Sequence, residues 1–93
     1  MPRKAPRKTP HQAPRKVSSI DVHIGELITR ARKLKNITQM QTAQACGVTH
    51  QQIQKYEKGT NKLSPARIVQ LCNLYDITVA SMFEGAPGYK VGK

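Results

Sequence analysis

The chain has no tryptophan, one phenylalanine and three tyrosines among its 93 residues. A core of stacked rings is therefore excluded, and too few aromatics remain for reading RNA by base stacking. Acid is scarce: five Asp and Glu stand against sixteen Lys and Arg, a net charge of +11. A balance this basic points to a polyanionic partner, nucleic acid or an acidic membrane face. Only two cysteines occur, Cys46 and Cys72, both within stretches patterned as helix. They form no Cys-x-x-Cys motif, and no His-x3-His pair accompanies them, so a metal site is not expected and each reads as a small buried apolar residue. No apolar run is long enough to cross a bilayer, and no basic-then-apolar leader is present. The expectation is a soluble, cytoplasmic protein. Paired carboxylates, a phosphate-cradling glycine loop and a nucleophile beside a base are all missing, and His11 and His23 have no evident partners. An enzyme is therefore not expected, and nothing calls for a cofactor.

The chain divides by composition into an arm, 1–17, a helical region, 18–85, and an irregular tail, 86–93. Within the arm, Pro-Arg-Lys recurs at Pro2, Pro6 and Pro14. Frequent proline and almost no apolar area predict an extended, disordered segment. Arg3, Lys4, Arg7, Lys8, Arg15 and Lys16 supply charge without any acid. Such an arm could serve only for solubility. Sharing the sign of the remaining chain, it reads better as an electrostatic tether to phosphate, or as a strand along a minor groove.

Beyond the arm the periodicity is helical. Ile24, Leu27, Ile28, Ala31 and Leu34 mark one face of a first helix, with Ser19 or Asp21 as its cap. Thr38 opens a second helix, with Gln41 placed for a capping box, and Gly47 ends it after Cys46. Thr49 opens a third, again with glutamine (Gln52) three residues on, and Gly59 ends it. Ser64-Pro65 is a cap followed by proline at the first helical position. Ile68, Leu71, Cys72 and Tyr75 carry the fourth apolar stripe. Thr78 caps a short fifth helix with Val79, Met82 and Phe83, stopped by Gly85. The fold class is all-α, five short helices with no convincing strand.

The third helix is unusual in chemistry. With Ile53 at the centre of its inner side, Tyr56, Glu57 and the cap Thr49 fall beside it at ~100° per residue. Gln51, Gln54, Lys55 and Lys58 fall opposite, with His50 and Gln52 at the edges. A merely soluble face mixes lysine with glutamate. Here the outer face has amides and cations only. A carboxamide donates and accepts together and matches the edge of adenine, while lysine reaches guanine acceptors or phosphate. The tight turn at Gly47-Val48 between two short helices is the helix-turn-helix arrangement, in which the second helix enters the major groove N-terminus first. Gln39, opening the preceding helix, would point toward the same groove edge and a phosphate.

The string "GELITRARKLKNITQMQTAQACGVTHQQIQKYEKGTNKLSPARIVQLCNLYDITVASMFEG", Gly25 to Gly85, resembles the Xre/Cro–CI helix-turn-helix proteins of bacteria and their phages. The likeness rests on Arg32, Thr38-Gln39, Ala43, Gly47-Val48, Ile53, Tyr56-Glu57, Gly59, Leu71 and "ITVASMFEG" in order. It implies a compact five-helix, lambda-repressor-like domain that binds double-stranded operator DNA, usually as a homodimer and most often as a repressor. By the same likeness, His50, Gln51 and Lys55, with Gln54, read bases. Gln39, Thr49, Gln52, Lys58, Asn61 and Lys62 face phosphate. The resemblance also supplies a partner for the inward acid Glu57, the arginine near the end of the first helix, Arg32. Thr42 and Cys46 depart from it, since relatives carry leucine and a larger aliphatic there. Two other roles compete: an antitoxin of the same fold binding operator and toxin, and a protein-bridging module with the arm as docking peptide.

Overall fold

The computed structural model describes residues 18–90. Five helices follow one another: α1 (Ser19–Leu34), α2 (Gln39–Cys46), α3 (His50–Lys58), α4 (Pro65–Tyr75) and α5 (Val79–Phe83). No strand occurs among the described residues. The caps explain the boundaries. Thr38, Thr49, Ser64 and Thr78 are extended, and each side-chain oxygen accepts a backbone N–H at the third helical position. That satisfies a donor the helix cannot. α2 has the full reciprocal box, Gln41 Oε1 accepting from Thr38 N–H at 2.8 Å. α3 has only the Thr49 half.

Two sequence expectations for α1 need correction. Its cap is Ser18, whose Oγ accepts from Asp21 N–H at 3.0 Å, while Asp21 closes the box from the third helical position. Leu34 does not belong to the buried face and is 83% exposed. Ten steps from Ile24 carry it ~80° from that residue, past the edge of the stripe, and the helix ends there.

All five helices contribute to one core. Ile28, Ile53, Leu71, Tyr75 and Met82 are almost wholly buried, with Ile24, Ala31, Ala43, Cys46, Tyr56 and Cys72 around them. Each large aliphatic side chain so placed contributes about 1.5–3 kcal/mol relative to exposure. Both cysteines are free and buried. Burial raises the Cys72 thiol, which donates to Met82 Sδ at 3.2 Å. Thr42, where an aliphatic was expected by likeness, is fully buried. Its hydroxyl reaches Thr38 O at 3.1 Å and the Tyr75 hydroxyl at 2.9 Å. Thr42 has one proton to give; spent on the Thr38 carbonyl, it leaves Tyr75 as the donor of the second bond. Burial is the main reason the phenol is pushed up to about 12.

The turn between α2 and α3 is tight for a local reason. Gly47 adopts φ 70°, ψ 32°, a left-handed conformation open to glycine without cost, and Val48 N–H returns to Ala43 O at 3.0 Å. α3 is then carried against α1 and α2.

Candidate nucleic-acid interface

The outer side of α3 is laid out as its wheel requires. Ile53 and Tyr56 are buried, whereas Gln51, Gln54, Lys55 and Lys58 are exposed. Lys55 and Lys58 occupy the last turn, where cations complement the helix dipole. No acid lies on this side, because the only one in the helix is turned inward.

That acid, Glu57, anchors a relay through three elements. Arg32 Nε and Nη2 donate to its two oxygens at 2.7 and 3.2 Å, and Arg32 Nη1 donates to Ile37 O at 2.9 Å. The two side chains are 12% and 7% exposed. Gln39 Nε2 donates to Glu57 Oε1 at 2.9 Å, and Gln39 Oε1 lies 2.8 Å from His50 Nε2. The expected Arg32–Glu57 pair is therefore extended to the first residue of α2 and the first of α3. Gln39 keeps one amide hydrogen for an outside acceptor. Its backbone N–H and that of Met40 stand at the open N-terminus of α2, beside a cleft lined by Arg32, Lys33, Ile37, Thr38 and His50.

Among the other residues expected at phosphate, Thr49 is exposed and its oxygen accepts Gln52 N–H at 3.1 Å, leaving its proton free. Gln52 is half-buried and Asn61 exposed. Lys62 is exposed but tethered, its Nζ 3.1 Å from Asp21 Oδ2 at the start of α1. Burial would raise the Asp21 carboxyl; bonds from Ser18 and Lys62 outweigh it and hold the group below its ordinary value. The loop after α3 is thereby clipped to α1. Arg3, Lys4, Arg7, Lys8, Arg15 and Lys16, with the rest of 1–17, lie outside the described residues.

Three positioning features were not read from sequence. Gly25 is packed against the end of α3, where an added Cβ would stand 2.4 Å from Glu57 O. Gly59 sits at φ 78°, and a Cβ there would meet Val22 Cα at 2.8 Å. Helix α1 and the end of α3 thus meet backbone to backbone, which fixes the depth of the outer face. Arg67, in the first turn of α4, donates to Cys46 O at 2.9 Å and to Gln70 Oε1, gripping the end of α2 at the turn. A basic side chain after Ser-Pro was the only sequence signal for it. His23 Nε2 is buried with no hydrogen-bond partner among the described residues. Of the apolar residues of α5, Met82 is in the core and Phe83 packs partly buried against it, whereas Val79, like Tyr89 beyond the helix, is exposed.

A helix-turn-helix with an amide-and-lysine outer helix is the class these elements define. The helix-turn-helix family model matches residues 28–81, and the chain belongs to that family. Curated relatives include an uncharacterized helix-turn-helix-type transcriptional regulator of Sinorhizobium medicae, 38% identical over 74 residues, which cover 80% of this chain and 53% of the relative. Another from Rickettsia prowazekii is 39% identical over 69 residues, covering 74% and 53%. The chain thus spans about half the length of these relatives. Among solved structures, the clp gene regulator ClgR of Corynebacterium glutamicum superposes with a TM-score of 0.67 at 20% identity, covering 80% of this chain and 96% of that one. The restriction-modification controller protein C.AhdI of Aeromonas hydrophila gives 0.62 at 24%, covering 67% and 94%. At these identities the structural likeness speaks for the fold. No described helix is long and apolar enough to cross a membrane.

Proposed function

We propose that this protein is a sequence-specific double-stranded DNA-binding transcriptional regulator, acting as a dimeric repressor on a palindromic operator. The observation that carries the reading is the outer side of α3: Gln51, Gln54, Lys55 and Lys58 exposed, with the helix's one acid consumed by Arg32 and Gln39. His50, Gln51, Gln54 and Lys55 contact base edges, and the open N-terminus of α2, Thr49, Gln52, Lys58, Asn61 and Lys62 contact phosphate. Backbone contacts set register and much of the affinity, and the amides set sequence. A dimer would place two copies of α3 in successive major grooves, ~34 Å apart. The arm adds charge to the phosphate contacts. Val79 and Tyr89, exposed near the chain's C-terminal end, are the residues on which a dimer contact is drawn. Repression would follow from covering promoter DNA.

Selection of bound genomic fragments by the whole chain, followed by sequencing and gel shifts, tests this reading. The expected product is one enriched two-fold motif near promoters, bound far more tightly than scrambled duplex. Recovery of no motif, with equal binding to all fragments, would count against it. A co-purifying toxin would instead favour the antitoxin role.

A further inference from the structure

The side-chain relay behind α3 decides which hydrogen-bonding group His50 can offer. A carboxylate held by a guanidinium has only acceptors. Facing Glu57, Gln39 must therefore present its NH2 end, as it does at 2.9 Å. The other end of that carboxamide, Oε1, is then fixed toward His50 Nε2 at 2.8 Å. A carbonyl oxygen cannot donate, so Nε2 carries the hydrogen of this bond. In a neutral ring the remaining nitrogen, Nδ1, is bare and accepts. Among the described residues it makes no hydrogen bond, and it is not closed off from solvent.

We propose that this relay makes His50 a tautomer-locked acceptor that selects an amino-bearing base, adenine or cytosine, over guanine or thymine on the strand it faces. In the major groove adenine N6 and cytosine N4 donate, whereas guanine O6 and N7 and thymine O4 accept. An unlocked imidazole exchanges tautomers and takes either kind. Gln39 is thus a positioning residue for specificity, acting through His50, and Glu57 orients Gln39. The inference rests on the DNA-binding reading above, but the lock itself is a property of the free protein.

Two measurements separate the two ideas. In the free chain, nitrogen NMR of the imidazoles in mildly alkaline buffer should show His50 Nε2 protonated and Nδ1 bare. In Gln39→Met, which cannot orient the ring, a mixture should appear. On DNA, the contacted position is the one whose base preference disappears in His50→Ala. There the wild type should favour adenine or cytosine by roughly tenfold over guanine or thymine. Gln39→Met should bring that ratio close to one, whatever it does to affinity overall. A bare Nε2, a keto preference in the wild type, or a ratio untouched by Gln39→Met would each overturn the inference while leaving DNA binding intact. Failure to bind any duplex, with the lock seen by NMR, would overturn the functional reading and the base preference with it.

Discussion

Arg32 and Glu57 form a two-toothed ion pair, at 2.7 and 3.2 Å, across the seam between α1 and α3. With both side chains largely withdrawn from water, each depends on the other. Removing one leaves a buried charge uncompensated, which costs far more than the net worth of the pair. Glu57→Gln or Arg32→Met should therefore lower unfolding free energy by about 3–5 kcal/mol, measured by urea titration. An unchanged midpoint and slope would mean that the pair is wet.

The Thr42–Tyr75 hydroxyl bond should behave as a unit. Thr42→Val leaves the buried phenol without its partner and should cost about 1–3 kcal/mol. Adding Tyr75→Phe should recover most of that loss, because no orphaned group remains. Additive losses in the double variant would deny the coupling.

Gly25→Ala sets two effects against each other. Alanine is favoured over glycine inside a helix by about 1 kcal/mol. The new methyl would stand 2.4 Å from Glu57 O, a backbone atom that cannot swing aside. Overpacking of this kind costs about 1–3 kcal/mol. The clash should win, so melting should fall. A rise would show that α3 is free to shift.

Asp21 adds a pH dependence whose sign is fixed by its lowered pKa. Its share of stability is present above the unfolded carboxylate value, about 3.9, and is lost as pH falls through the folded value. The stability difference between wild type and Asp21→Asn should therefore be full near neutrality and shrink below about pH 4. Lys62 is well exposed, so screening leaves its part small. A difference constant with pH would remove Asp21 from the ledger.

What could be read from sequence was what local rules decide. Thr38, Thr49 and Ser64-Pro65 set helix starts through bonds to residues three away, and Gly47 and Gly59 ended helices by backbone conformation. The inner and outer sides of α3 followed from periodicity, except that the cap Thr49, placed beside Ile53 on the wheel, is exposed because it precedes the first helical residue. Leu34 was misplaced because a stripe drifts and a helix end has no neighbour to cover it. The Gln39–His50 contact and the Arg67 bond to Cys46 O were hidden for another reason. An amide or guanidinium chooses among partners that only the tertiary packing brings near. Gly25 carries no conformational signal at all; its need is for closeness to Glu57 O.

Deleting Met1–Lys16 should weaken binding to all duplexes alike and flatten the dependence of affinity on salt, as fewer counterions are released. A loss confined to the enriched motif would mean that the arm reads bases.

Whether the exposed side of α3 reads bases is settled by the affinity of Gln51→Ala for the enriched motif and for a scrambled duplex, side by side. The expected result is a loss of about 1–3 kcal/mol on the motif, with relaxed selectivity at one base pair and scrambled binding unchanged. Equal affinities for wild type and variant on both duplexes would contradict it.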